Sequence, residues 1–104
     1  MIQTLRAGGI DKLVPTSFPM LVHASRVDDL ALLGIMEDMM VATGAEAAVR
    51  QIESYMSRPD ARPGLAAVDV PALVLVGDSD RLAPVARAEE TAAGIAGARQ
   101  WKTA

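Results

Sequence analysis

The chain has 104 residues, 51% of them apolar but only 3% aromatic, so it can build one domain whose core is aliphatic and methionine-rich. A formal net charge of −3, with Lys and Arg scattered singly, argues against nucleic acid as a partner, and the absence of cysteine excludes disulfides, thiolate metal sites and thiol catalysis. The longest apolar run, residues 72–76, is far short of the roughly 20 residues a membrane-spanning helix needs, so the expectation is a soluble, cytoplasmic protein with no membrane partner.

The first 64 residues read as helical. Gly8-Gly9 ends an opening helix, and residues 10–23 predict another, interrupted around Pro15 and Pro19. Ser25-Arg26-Val27-Asp28 has the form of a capping box, with Ser25 accepting from an early amide and Asp28 reaching back. The helix it opens should run to about Thr43, with Leu32, Leu33, Met36, Met39 and Met40 on its apolar face, and end at Gly44 in the left-handed conformation. Ala45, Val49, Ile52 and Met56 recur at helical spacing in the next segment. Met36, Met39, Met40 and Met56 could line an apolar acyl pocket, although methionine also fills ordinary cores.

Arg58-Pro59-Asp60-Ala61-Arg62-Pro63-Gly64 is a loop, since two prolines and a glycine interrupt any regular element. It separates the helical segment, residues 1–64, from a second segment, residues 65–104, of different character. There, Pro71-Ala72-Leu73-Val74-Leu75-Val76-Gly77 is a short apolar run without polar alternation, the pattern of a strand buried on both faces. Gly77-Asp78-Ser79-Asp80-Arg81 leaves its carboxyl end. Pro84 suits the first turn of a helix continuing through Ile95, and Arg99-Gln100-Trp101-Lys102 begins a second strand. This strand–helix–strand order is the building block of α/β folds. One or two strands do not complete a parallel sheet, however, so the whole reads as one incomplete domain whose surplus apolar surface needs a cover.

In such sheets reactive residues gather in the loops at the carboxyl ends of strands, where Asp80 stands. A carboxylate there can orient a histidine and stabilise its charged form, or it can simply cap its own turn. Asp78-x-Asp80 also begins like a calcium loop, but the glycine and distal glutamate are out of register. Neither a metal nor a cofactor is expected.

The run Arg58-Pro59-Asp60-Ala61-Arg62-Pro63-Gly64-Leu65, then Val70-Pro71-Ala72-Leu73-Val74-Leu75-Val76-Gly77, Asp80 and Leu82-Ala83-Pro84, closely resembles the α/β-hydrolase family. Ile95-Ala96-Gly97-Ala98-Arg99 is similar to the approach to that family's final strand. Gly8-Gly9-Ile10-Asp11, Gly44-Ala45 and Val49-Arg50-Gln51 look like the lid of its esterase and enol-lactonase branch. The resemblance implies a partial α/β-hydrolase fold, a helical lid followed by a strand–helix–strand unit, with Asp80 as the acid of a Ser-His-acid triad.

The departures are equally informative. The family's nucleophile sits in a G-x-S-x-G elbow, and none of Ser17, Ser25, Ser54, Ser57 or Ser79 has that frame. The catalytic histidine of the family follows the last strand, whereas His23 precedes the acid. The oxyanion loop is missing as well. The expectation is a piece of a carboxylic-ester hydrolase, inactive alone, whose parent takes a small apolar ester or lactone. Its partner would be a second copy or a complementing chain. The alternative is a small non-catalytic domain that covers its apolar faces by self-association.

Overall fold

The computed structural model describes residues 1–104 and consists of two compact units, Met1–Arg58 and Pro59–Ala104. The division falls inside the proline-rich loop, immediately before Pro59.

The first unit holds three helices, α1 (Ile2–Leu21), α2 (Leu30–Thr43) and α3 (Ala45–Ser57), each packed on the other two. Gly9 kinks α1 with φ 65° and ψ −162°, a conformation open to glycine and strained for any other residue. The prolines behave differently from the expectation: α1 continues through both Pro15 and Pro19 to Leu21. Between them, Thr16 Oγ1 donates to the carbonyls of Lys12 (3.1 Å) and Leu13 (2.9 Å), bonding back within the same helix.

The capping box is also corrected. Ala24–Arg26 is a single 3-10 turn, and Ser25 does not open a helix. Asp29 caps α2 instead, its carboxylate accepting from the Leu32 amide at 3.0 Å and pairing with Arg26 at 2.8 Å. Asp29 satisfies an early amide of α2 as a helix cap must, a role open to any short polar side chain one residue before the helix. At the other end, the Gly44 amide bonds the Met40 carbonyl at 3.0 Å. Its φ of 81° requires glycine as expected, yet ψ of 151° is extended rather than left-handed helical. That extended link lets α3 begin at the next residue, with the Ala48 amide bonded back to the Gly44 carbonyl.

Leu5, Leu13 and Ala48 form the buried centre of the unit, with Ile10, Met40, Ala45, Val49 and Ile52 packed on it. The periodicity thus located the inward stripe of α3 at Ala45, Val49 and Ile52, about two turns, but Met56 points to solvent at 73% exposure. Met39 of α2 is exposed too.

The second unit is β1 (Leu73–Gly77), α4 (Val85–Gly94) and β2 (Arg99–Thr103), preceded by a 3-10 segment at Arg62–Ala67. The strands pair in parallel, from Leu73↔Arg99 through Leu75↔Trp101 to Gly77↔Thr103. Helix α4 packs on both strands and on the 3-10 segment. Gly94 permits the last contact, because a side chain there would press on Leu65. Pro84 stands just outside α4 rather than within its first turn.

The strand is not buried on both faces. Val76 is 6% exposed and Val74 half-buried, whereas Leu73 and Leu75 are 61% and 63% exposed. The apolar run was read as doubly covered because every residue in it is apolar; in this unit α4 supplies a single layer.

Candidate functional site

The turn after β1 is built from backbone hydrogen bonds. The Asp80 amide donates to the Gly77 carbonyl at 3.2 Å, closing residues 77–80 into a tight reversal. Asp80 Oδ1 then accepts from the amides of Leu82 (3.0 Å) and Ala83 (2.9 Å). Asp80 therefore caps its own turn, as one of the two readings of this residue had it. The cap also fixes the carboxylate in place through one of its two oxygens. Capping and orienting a histidine are thus compatible uses of the two oxygens.

The register determines what lies beside this turn. Because β1 and β2 are parallel, their carboxyl ends finish together, and the Asp78 amide donates to the Thr103 carbonyl at 2.7 Å. Any residue following β2 consequently leaves the sheet next to the turn that holds Asp80. In open α/β sheets this is the edge at which reactive loops assemble.

The other polar candidates do not form a catalytic set. Ser79 Oγ donates to Asp78 Oδ1 at 3.0 Å and lies in the acid's own turn, with no base against it. His23 Nδ1 lies 2.7 Å from Ser25 Oγ and accepts from the Ser25 amide at 3.1 Å. Both contacts fall on the same ring nitrogen, which accepts from the Ser25 amide and so caps the 3-10 turn at Ala24–Arg26. A triad requires the serine and the carboxylate on opposite nitrogens. This exposed pair has no carboxylate partner.

The Arg-Pro loop is held by charge. Arg62 grips Asp60 through Nε and Nη2, the latter at 2.7 Å, and reaches Glu90 of α4 at 3.2 Å, which in turn binds Arg87. Hydrogen bonds from Arg62, first from its side chain and then from its backbone, hold the Asp60 carboxyl down at about 2, and those that Arg62 donates to Asp60 and Glu90 push its own guanidinium up. The network ties the loop to α4.

One feature had no counterpart in the sequence reading. A cavity of about 510 Å³ in the first unit is lined by Leu5, Ala45 and Val49, with Arg6, Glu46, Arg50 and Glu53 around it. Arg6 bridges α1 to α3 through Glu53 at 3.2 Å. The i, i+4, i+7 spacing of Glu46, Arg50 and Glu53 marks one charged stripe on α3, but only the packing of α1 beside it creates the hollow.

No protein-family model matches the chain, and no curated protein matches it either. Among solved structures, the enol-lactonase from Burkholderia xenovorans LB400 matches 98% of this chain with a TM-score of 0.85 at 28% sequence identity. The match covers 39% of that enzyme, so this chain spans well under half its length. With nearly all of its residues on that scaffold, the chain is a partial α/β-hydrolase fold: a helical segment followed by a strand–helix–strand unit of the hydrolase core.

Proposed function

We propose that these residues form the acid-bearing part of an α/β-hydrolase acting on a small apolar ester or lactone, with Asp80 as the acid of the triad. The observation that supports this most directly is the Asp80 carboxylate, anchored through Oδ1 to two amides at the carboxyl end of β1. In the reaction, Asp80 accepts from one nitrogen of a histidine and favours its protonated form. The other nitrogen takes the proton of a serine as that oxygen attacks the carbonyl carbon, then returns it to the leaving oxygen. Serine, histidine and oxyanion donors come from polypeptide outside Met1–Ala104; the helices of the first unit serve as the lid.

Residues 1–104 alone accordingly do not hydrolyse a short-chain nitrophenyl ester. Combined with the remaining part of a hydrolase core they do, and Asp80→Asn then lowers kcat by roughly 10⁴-fold. Serine-dependent turnover by residues 1–104 alone, or an unchanged rate in the Asp80→Asn variant, would exclude this assignment. A second reading, a self-associating domain without catalysis, draws on the exposed apolar side chains of α2, among them Leu30, Ile35 and Met39.

A further inference from the structure

The hollow between α1 and α3 sets charges of both signs over an apolar wall. Its volume of about 510 Å³ falls within the roughly 300–1,000 Å³ of pockets that hold small molecules. Leu5 of α1 is buried and Val49 of α3 half-buried, and together they form the inner wall. Arg6, Glu46, Arg50 and Glu53 are exposed and stand around it. Two guanidinium groups and two carboxylates cancel, so the hollow carries no net charge.

The four charges are not equivalent. Arg6 and Glu53 satisfy one another across the two helices at 3.2 Å. Glu53 therefore turns to Arg6 rather than to Arg50, its neighbour three residues back on α3. Glu46 and Arg50 lie one helical turn apart, about 6 Å along the axis, yet they do not pair. Each is left without an ionic or hydrogen-bonding partner for its side chain.

We propose that this hollow binds a small zwitterion with an aliphatic tail, a free α-amino acid, with its carboxylate on Arg50, its ammonium on Glu46 and its tail against Leu5 and Val49. Charge complementarity selects this class. A simple carboxylate would meet Arg50 but bring a second negative charge beside Glu46, and an alkylamine would set a second positive charge beside Arg50. A zwitterion matches both groups and keeps the site neutral. Its carboxylate can also take two parallel N–H bonds from the planar guanidinium. The charged groups stand at the rim, in contact with water, so the affinity is on the order of millimolar. The site uses no residue of the Asp80 turn and is independent of the hydrolase reading.

The probe is L-leucine, titrated into the 104-residue chain while the Val49 methyl and Arg50 Nε–H signals are followed by nuclear magnetic resonance. Both signals should move saturably. Isocaproate, which lacks the ammonium, and isoamylamine, which lacks the carboxylate, should each bind about tenfold more weakly than leucine. Arg50→Gln should weaken leucine binding about tenfold and Glu46→Gln several-fold, whereas Arg99→Gln, in the second unit, should leave it unchanged. Circular dichroism verifies that the free variants keep their helices, and the two analogues test the same pairing on the unaltered chain. Signals unmoved by leucine up to its solubility limit would mean that Glu46 and Arg50 satisfy each other in solution, and would overturn the proposal. Binding of isocaproate or isoamylamine as tight as that of leucine would overturn it too, as would parent-like affinity in Arg50→Gln.

Discussion

The core of the first unit can be tested at Leu5. This side chain is 3% exposed and belongs to the small buried centre with Leu13 and Ala48. Leu5→Ala removes three carbons, a transfer loss of about 2.4 kcal/mol at ~0.8 kcal/mol per buried methylene. The void adds a further cost, but Leu5 also lines the cavity beside Arg6 and Glu53, so the space opens outward and the total stays near 3 kcal/mol, in the lower part of the usual range. A unit of this size has roughly 3–9 kcal/mol of stability at ~0.05–0.15 kcal/mol per residue, so the variant forfeits a third or more of it. Urea unfolding followed by far-ultraviolet circular dichroism reports mainly on the helices. Met56→Ala is the matched control: at 73% exposure it should cost less than about 1 kcal/mol. Equal losses in the two variants, or a Leu5→Ala midpoint at the parent value, would refute the assignment of the core.

Four further outcomes follow from single residues. Gly44→Ala should destabilise by about 1–3 kcal/mol, since φ 81° with ψ 151° is strained for alanine, whereas Gly34→Ala, inside α2 with open space around its Cα, should stabilise by about 0.5–1 kcal/mol; chemical denaturation measures both. Asp29→Ala should lower the thermal midpoint and Ser25→Ala should leave it in place, because only Asp29 caps α2. The Asp60 carboxyl, held at about 2 by Arg62, contributes stability that is present above the ordinary carboxylate pKa near 3.8 and is lost as the pH falls toward 2; carbon-detected titration of Asp60 in the parent and an Arg62→Gln variant measures the displacement, which should shrink but not vanish in the variant, because the backbone amide of residue 62 still donates to Asp60. Asp80→Asn should retain the stability of the parent while Asp80→Ala loses some, because the amide oxygen can still accept from Leu82 and Ala83; equal midpoints for the two would show that the turn does not depend on this cap.

Much of this architecture is legible from residue order. The apolar run at residues 72–77, the turn at Asp78-Ser79-Asp80 and the glycines at positions 9 and 44 announce a strand, its carboxyl end and two breaks, because each follows from local rules of conformation. The motif around residues 59–84 likewise points to the α/β-hydrolase relationship, which the enol-lactonase scaffold bears out, and singles out Asp80 as the residue to test. Local rules misjudged three features. Pro15 and Pro19 do not stop α1, Ser25 does not cap α2, and β1 has one bare face. Each depends on neighbours: the packing of α1 on α2 and α3, the position at which α2 actually begins, and the number of layers available to the sheet. The sequence alone thus determined the chemical type and chain position of the carboxylate that follows β1. The tertiary structure decided that its Oδ1 is tied to two amides and that the end of β2 lies alongside, since hydrogen-bond direction and strand register arise only when distant segments pack.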